Sequence, residues 1–243
     1  MSDCNYVGNY VGLELELFAA VRKWKTYWSR QIRPFIHGDV IEVGAGIGSN
    51  TPFLDPIGGE PGGDHRWVCL EPDPLLLAQL TKTLKETTSR QYETLCGTLQ
   101  TVDGSQRFDT IIYIDVLEHI ANDREELNIA ADRLRPGGRI IVLAPAHQWL
   151  FSPFDAAIGH FRRYNRSMLR SISPAGLMIE KLIYLDSAGL TASAANLLFF
   201  RQSMPTKAQL SFWDHWIVPA SQVMDKLLLH SVGKSIVAIW RKN

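Results

Sequence analysis

The chain has 243 residues, enough for one substantial α/β domain, and we expect no second full domain. Lysine plus arginine equals aspartate plus glutamate at 25 each, so no overall positive field exists to attract nucleic acid. Three cysteines without a Cys-x-x-Cys pair argue against a structural zinc site. The N-terminus lacks a basic start and apolar run, and the uncharged run 187–200 is too short to cross a bilayer. We therefore expect a cytoplasmic protein with no nucleic-acid partner and no transmembrane segment.

Residues 13–36 are predicted to form an amphipathic helix, which Pro34 ends. Basic side chains alternate with the aromatic residues of this segment. Two interpretations stay open at this point. The helix either packs on the domain as part of its core, or it forms a lid over a pocket with Trp24, Tyr27 or Trp28 facing a ligand.

Residues 40–51, VIEVGAGIGSNT, predict a short strand, a turn with three glycines and the start of a helix. Such a turn lets a ligand lie against bare backbone, because glycine has no Cβ. Ser49 stands where the dinucleotide fingerprint G-x-G-x-x-G requires its third glycine. Glu42, just before the turn, would repel a pyrophosphate but could attract a cationic amine or sulfonium. A nicotinamide cofactor is therefore disfavoured.

Alternating strands and helices follow the glycine turn. We predict strands at 67–74, 92–97, 108–116 and 139–146, a helix beginning at Pro74, a helix at 122–134, and loops at 56–66 and 135–138. Glu71 ends the second of the chain's predicted strands, beside the glycine turn in a β-α-β unit. Its carboxylate could accept hydrogen bonds from both hydroxyl groups of a ribose.

The segments EVGAGIG, LEPDP, DVLEHI and RPGGRIIVLAP, in this order, resemble the conserved motifs of class I S-adenosylmethionine (SAM) methyltransferases over residues 38–146. The flanks, VRKWKTYW and residues 145–164, resemble a narrower bacterial group within methyltransferase types 11 and 12. The resemblance implies an α/β fold with a Rossmann-like doubly wound sheet, mostly parallel, whose antiparallel last strand lies between the fifth and sixth. It implies helices on both faces, a helical C-terminal insert, SAM as cofactor and S-adenosyl-L-homocysteine as product.

The resemblance also implies a set of cofactor-binding residues. In this layout the loop after the third strand flanks the adenine, and the end of the fourth strand reaches the mouth of the sheet. The implied residues are Glu42, Gly44, Ala45, Gly46, Glu71, Pro72, Thr98, Leu99, Asp115, Val116 and His119.

Residues 146–166 follow the last parallel strand and are predicted to arch over the pocket. An acceptor that loses a proton during methyl transfer calls for a base with a pKa near neutral, and histidine is the natural choice. We therefore select His147 and His160 as catalytic candidates, with Tyr164 as a positioning group.

The same segment supplies candidates for binding the acceptor. Trp149, with Trp24 and Tyr27, is predicted to line an aromatic pocket. Arg162 and Arg163 either clamp an anionic acceptor or pin the loop by pairing with Asp155 or Glu180.

Asp115-x-x-Glu118-His119 raises the question of a metal. Acid-x-x-Glu-His resembles the magnesium or zinc ligands of ubiquinone-pathway and small-RNA 2′-O-methyltransferases, and His147 could supply a fourth ligand. Many metal-free methyltransferases also carry Leu-Glu-His here, where the histidine packs beside SAM. We assign no metal, because the sequence does not show these side chains converging, and metal dependence stays open.

The C-terminal part is predicted as a short helix (168–176), a strand (177–186), an apolar helical insert (188–230) and a last strand (233–243). The insert is either the wall of a pocket for a hydrophobic acceptor, or a patch for a homodimer or a membrane surface. The single domain then comprises a helical lid (1–37), the SAM-binding core (38–146), a substrate-side cap with the insert (147–232) and the final strand.

We expect a methyltransferase that acts on a small-molecule acceptor, hydrophobic or anionic, as in natural-product biosynthesis, with oxygen as the favoured nucleophile. Three rivals stay open. They are a nicotinamide-dependent oxidoreductase, a SAM-binding protein of this fold that catalyses cyclisation or decarboxylation, and a non-catalytic SAM-binding protein.

Overall fold

A computed structural model describes residues 13–55, 65–195 and 204–243. Most of the predicted loop 56–66 and part of the insert lie outside these residues. The described chain forms a seven-stranded sheet of order β3-β2-β1-β4-β5-β7-β6. Its strands are β1 (Val40–Val43), β2 (Trp67–Glu71), β3 (Glu93–Cys96), β4 (Phe108–Ile114), β5 (Leu134–Pro145), β6 (Leu177–Leu185) and β7 (Ser235–Lys242). β1 to β5 pair in parallel, whereas β7 is antiparallel to both β5 and β6. The predicted fold class is confirmed.

The helices cover both faces of the sheet. They are α1 (Leu13–Ala19), α2 (Lys23–Ile32), α3 (Thr51–Leu54), α4 (Pro74–Thr87), α5 (Asp123–Arg133), α6 (Pro153–Ala157), α7 (Arg166–Ser171), α8 (Ser187–Ala195), α9 (Lys207–Phe212) and α10 (Val218–Leu227). Two hydrophobic clusters, one on each face, bury the central strands, which explains why β4 and β5 have nearly continuous apolar sequences.

The N-terminal segment forms two helices, so the prediction of one helix over 13–36 is wrong. α2 begins at Lys23 because Asp214, from the C-terminal insert, accepts hydrogen bonds at its N-terminus. The Asp214 carboxylate accepts from the backbone N–H groups of Arg22, Lys23 and Trp24 at 3.2, 3.2 and 2.8 Å. These are donors that a helix cannot satisfy by itself.

Residues 135–138 do not form the predicted turn, because β5 begins already at Leu134. The pairing register with β4 shifts between Phe108 and Thr110, so the strand absorbs the additional residues as an irregularity. Arg135 lies at this point and pairs with Asp39 and Asp109.

The insert is helical where the structure describes it. α9, a π-helical turn (Trp213–Ile217) and α10 follow one another directly. Buried Asp225 on α10 accepts hydrogen bonds from the Tyr27 hydroxyl at 2.7 Å and from the backbone of Asp186 and Ser187 at 2.7 and 2.9 Å. The insert therefore joins α2 to the end of β6. Within the described ranges, no helix combines the length and apolar character that crossing a membrane requires.

Candidate active site

A cavity of about 1360 Å³ lies at the carboxyl ends of the parallel strands. The strand order reverses between β1 and β4, which is where open α/β sheets bind ligands. The cavity is lined by the glycine turn after β1, the ends of β2 and β4, α1 and α2, the segment 150–163, and the helices of the insert. Its walls thus come from every part of the predicted domain organisation.

The glycine turn forms the floor of the cavity. Gly44 has a φ of +66°, and a Cβ there would lie 2.8 Å from Val116 Cγ2. Gly48 has a φ of +77°, and a Cβ would lie 2.8 Å from Leu80 Cδ1. Both positions require glycine because the backbone is left-handed and closely packed. Gly44, Ala45 and Gly46 all line the cavity.

Glu71 connects the end of β2 to this turn. Its Oε2 accepts a hydrogen bond from the Gly46 N–H at 2.8 Å, and its Oε1 accepts from the Asp73 N–H at 3.0 Å. The carboxylate lines the cavity together with Pro72, and burial raises its pKa. Each oxygen keeps acceptor capacity beyond these bonds, so a ribose diol fits this position.

Lys25 is a buried cation beside the glycine turn that the sequence analysis missed. Its Nζ donates to Ser49 Oγ at 2.8 Å and to the Ser49 carbonyl at 3.1 Å. Burial lowers the pKa of Lys25 to about 8, although Asp115 and Asp214 oppose the shift. The side chain lines the cavity and can meet a carboxylate there. The pattern Trp-Lys-x-Tyr around it was the only signal in the sequence.

Glu42 was predicted to bind the cofactor, but it lies under the glycine turn, outside the residues that line the cavity. It is 2% exposed, with Thr51, Trp67 and Lys25 around its carboxyl group. Burial raises its pKa to about 7. Successive side chains of a strand point to opposite faces of the sheet. The Glu42 side chain points from β1 to a face that is covered by packed protein.

We expect that Glu42→Gln removes part of the pH dependence of stability. The pKa is about 7 in the folded chain against 4.5 for an exposed glutamate, so the folded state binds the proton more tightly. The contribution of Glu42 to the free energy of unfolding is therefore fully present below about pH 4.5, and about 3 kcal/mol of it is lost as the pH rises to about 7. Denaturant titrations should show that the variant loses about 3 kcal/mol less than the native chain over this interval.

The matched control for this experiment is Glu93→Gln, because Glu93 is exposed on the edge strand β3 and pairs with Arg66. It should keep the native pH dependence. An unchanged dependence in Glu42→Gln would contradict the buried, proton-binding position of this carboxyl group.

The turn after β4 places two predicted cofactor residues at the cavity, whereas the loop after β3 places two away from it. Asp115 (φ +53°) and Val116 line the cavity. Burial raises the pKa of Asp115 to about 6, although His160 and Lys234 oppose the shift. Thr98 and Leu99 are not among the lining residues, since Leu99 is fully buried in the core and Thr98 caps a short 3-10 turn.

His160 faces the cavity in a fixed orientation. Its Nδ1 lies 2.9 Å from Asp155 Oδ1. Asp155 is in turn held by Arg163, which donates from Nε and Nη2 at 2.8 Å each, and by the backbone and hydroxyl of Ser152. These partners hold the pKa of the Asp155 carboxyl well below its usual value in spite of burial. Because Asp155 takes Nδ1, the His160 Nε2 is directed to Glu118, 3.8 Å away.

Glu118 and His119 lie opposite His160 in the cavity wall. The backbone of Phe161 donates to the Glu118 carbonyl at 2.8 Å, which draws the two segments together. The Glu118 carboxyl group is fully buried, and neither oxygen has a hydrogen-bond partner among the described residues. Burial and Asp115 raise its pKa well above the usual value. The His119 ring lies 4.5 Å from that of His160, and burial lowers the pKa of His119 to about 4.

His147 and Tyr164, predicted as catalytic, are outside the residues that line the cavity. The His147 ring stacks on Tyr184 at 4.9 Å, and its backbone has a φ of +66°. Tyr164 is fully buried, with its hydroxyl 2.8 Å from Asp123 Oδ2. Tyr164 N–H donates to the Pro145 carbonyl and His147 N–H to the Tyr164 carbonyl, so both residues hold the arching segment against β5.

The predicted acceptor residues divide in the same way. Trp24 and Arg163 line the cavity. Tyr27 turns away to Asp225, and Trp149 is 57% exposed at the surface. Arg162 pairs with Asp123 and donates to the Ile120 and Ala121 carbonyls, so it pins the loop.

The far wall of the cavity is apolar and comes from the arching segment and the insert, although no single residue of this wall was predicted. It includes Leu150, Phe154, Ile158, Leu210, Phe212, Trp213 and Ile217. Lys234 is a second missed cation, whose Nζ lies 4.4 Å from the Trp213 ring centroid. Among the two readings of the insert, the described part of it supports a pocket wall.

Comparison with known proteins shows which family and which relatives the chain resembles. The family described as "Methyltransferase domain" matches residues 41–140. The human thiol S-methyltransferase TMT1B is 31% identical over 121 residues, covering 46% of each chain. The chain spans less than half the length of either curated protein that it matches.

Solved structures match over most of the chain. A SAM-dependent methyltransferase from Clostridium acetobutylicum has a TM-score of 0.57 at 10% identity, covering 96% of both chains. Coclaurine N-methyltransferase, bound to N-methylheliamine and S-adenosylhomocysteine, has a TM-score of 0.59 at 12% identity, covering 89% of this chain and 71% of its own. These likenesses concern the fold. Residues 41–140 thus match a methyltransferase-domain family, and the described chain has the Rossmann-like fold of SAM-dependent methyltransferases.

Proposed function

We propose that this protein transfers the methyl group of SAM to a small, largely apolar acceptor that carries a hydroxyl group. The observation that carries this proposal is the Asp155–His160 pair in the cavity wall, where His160 faces Glu118 and His119 of the turn after β4. When bound, SAM supplies an electrophilic methyl group on a sulfonium. The chain's own residues would bind SAM, hold the acceptor in line with the methyl group and accept the acceptor's proton.

The cofactor half of the cavity is polar and provides one partner for each polar part of SAM. Glu71 would accept hydrogen bonds from the ribose, Lys25 would pair with the methionine carboxylate, and Asp115 would attract the ammonium and sulfonium groups. Trp24, from α2, covers this half. The earlier expectation that α2 acts as a lid remains a proposal.

The acceptor half is bounded by Phe154, Leu210, Phe212 and Trp213. Its apolar walls would exclude water and hold the acceptor for an in-line displacement. His160 would accept the proton of the acceptor hydroxyl at Nε2, because Asp155 keeps Nδ1 occupied and the ring in place. Arg163 would act through Asp155, as a positioning residue.

The wide apolar cavity supports a small acceptor rather than a nucleic acid, and the balanced net charge agrees. The thiol named for the human relative is a second candidate, since a thiol also carries a proton that His160 can take.

The experiment is a screen of phenols, aliphatic alcohols and thiols with SAM carrying a labelled methyl group. Label in the acceptor, with an equal amount of S-adenosylhomocysteine, is expected for a hydroxyl compound. Consumption of SAM without methylated product would favour a non-methylating reaction. Tight SAM binding with no turnover across the whole screen would favour a non-catalytic protein.

A further inference from the structure

The Glu118 carboxyl group is buried without the hydrogen bonds that such a group normally makes. It is fully buried, and within the described ranges both oxygens lack a hydrogen-bond partner. An unpartnered buried carboxyl group costs folding free energy, so it calls for a missing partner. The group lines the cavity, and the missing partner can therefore enter from there.

Two imidazole rings converge on the same point. One ligand atom each from Glu118, His119 and His160 can be chosen so that all three lie within 4.8 Å of one another. A metal ion at about 2.1 Å from nitrogen and oxygen ligands keeps them about 3 to 3.5 Å apart. Small side-chain rotations would bring the three atoms to this spacing.

The surroundings of the histidines fit metal ligands. His160 Nδ1 is bonded to Asp155, which leaves Nε2 directed at Glu118. A carboxylate behind the other ring nitrogen is the usual support of a metal-binding histidine. His119 has a hydrogen bond with the backbone of Gly159, which restrains its ring in a comparable manner.

We propose that Glu118, His119 and His160 form a binding site for one divalent first-row transition ion, with open coordination positions toward the acceptor cavity. Two nitrogen ligands and one carboxylate favour zinc or cobalt over magnesium or calcium, which prefer oxygen ligands. The ion takes the His160 lone pair that receives a proton in the ion-free protein. Its open positions can bind the acceptor's hydroxyl oxygen, and this last point alone rests on the proposed function.

The test uses chelator-treated full-length protein and Co²⁺ as the probe, followed by visible absorption and by titration calorimetry. One ion per chain is expected, with the absorption of a nitrogen- and oxygen-ligated cobalt ion. Zn²⁺ should displace it, whereas Mg²⁺ should not. His160→Gln, His119→Gln and Glu118→Gln should each weaken Co²⁺ binding by at least about 30-fold, and Asp155→Asn by about 10-fold.

His215→Gln is the matched control, because His215 is exposed on the insert and, among the described residues, its ring hydrogen-bonds to nearby Ser211. It should bind Co²⁺ as the native chain does. Far-UV circular dichroism of every variant shows which of them remain folded. Absence of Co²⁺ binding in the native chain, or equal binding in control and His160→Gln, would overturn the proposal.

The experiment separates this inference from the proposed function, since no acceptor is present. Methyl transfer by fully ion-free protein that is unchanged on adding Co²⁺ or Zn²⁺ would leave the function intact and remove the ion from it. Ion binding without methyl transfer to any acceptor would support the ion site and contradict the proposed function.

Discussion

Replacing His160 with glutamine is expected to lower the rate of methyl transfer by about 100-fold or more, while SAM affinity stays within about threefold of the native value. General-base catalysis contributes about 10² to 10⁴ in rate, and glutamine keeps the approximate size without a basic nitrogen. His160 lines the cavity, where it faces Glu118 and His119 and is held by Asp155 of the arching segment. Its loss should therefore act on the reaction and not on the glycine turn. Single-turnover rates at saturating SAM measure the effect.

The rival histidine supplies the contrast. His147→Gln removes a ring that stacks on Tyr184 outside the cavity, so it should alter stability more than the single-turnover rate. Asp155→Asn should shift the pH profile of the rate, because Asp155 orients the His160 ring. A larger rate loss in His147→Gln than in His160→Gln would show that the assignment of the base is wrong.

Replacing Glu71 with alanine is expected to weaken SAM binding by about 30- to 100-fold, or about 2 to 3 kcal/mol. Two effects add. The ribose loses a charged acceptor, and the Gly46 N–H loses the carboxylate that holds the glycine turn in place. Titration calorimetry with SAM and S-adenosylhomocysteine should give the same loss for both, because they share the ribose.

Two variants make this result specific. Glu71→Gln keeps one acceptor oxygen and should fall between alanine and the native chain. Glu93→Ala removes an acid from the neighbouring edge strand, where it pairs with Arg66, and should leave SAM binding unchanged. SAM affinity that is indifferent to Glu71→Ala would mean that the cavity binds a different cofactor.

The fold and the cofactor end of the site could be predicted because their signals are local in sequence. The glycines after β1 and the acid at the end of β2 are read from short segments, and parallel β-α-β units bring them together by rule. The predictions were wrong where contacts with residues distant in sequence override the local pattern. The 135–138 segment has the composition of a turn, yet Arg135 pairs with Asp39 across the sheet, and the segment is absorbed into β5.

The acceptor end was only partly predictable, since its residues are selected by contacts between distant parts of the chain. The sequence offers no reason to prefer His160 over His147. In the structure, His160 differs because its ring lies beside the carboxyl groups of Asp155 and Glu118. Lys25 has no motif of its own, because its role comes from Ser49 in the glycine turn. Glu118 was noted as a possible ligand with Asp115 and His119, and His147 was named as a fourth ligand, whereas the structure places His160 beside Glu118 and His147 against Tyr184.

The carboxylates of Asp214 and Asp225 bear on how this protein could acquire new acceptors. They belong to the segment that shapes the acceptor half, yet they hold the first turn of α2 and its Tyr27, and α2 also carries Trp24 and Lys25 into the cofactor half. Exchange of the whole segment for that of a relative would therefore impair cofactor binding as well. Diversification is expected at single cavity-lining positions such as Leu210 and Phe212, where selectivity can change while the support of α2 is inherited intact.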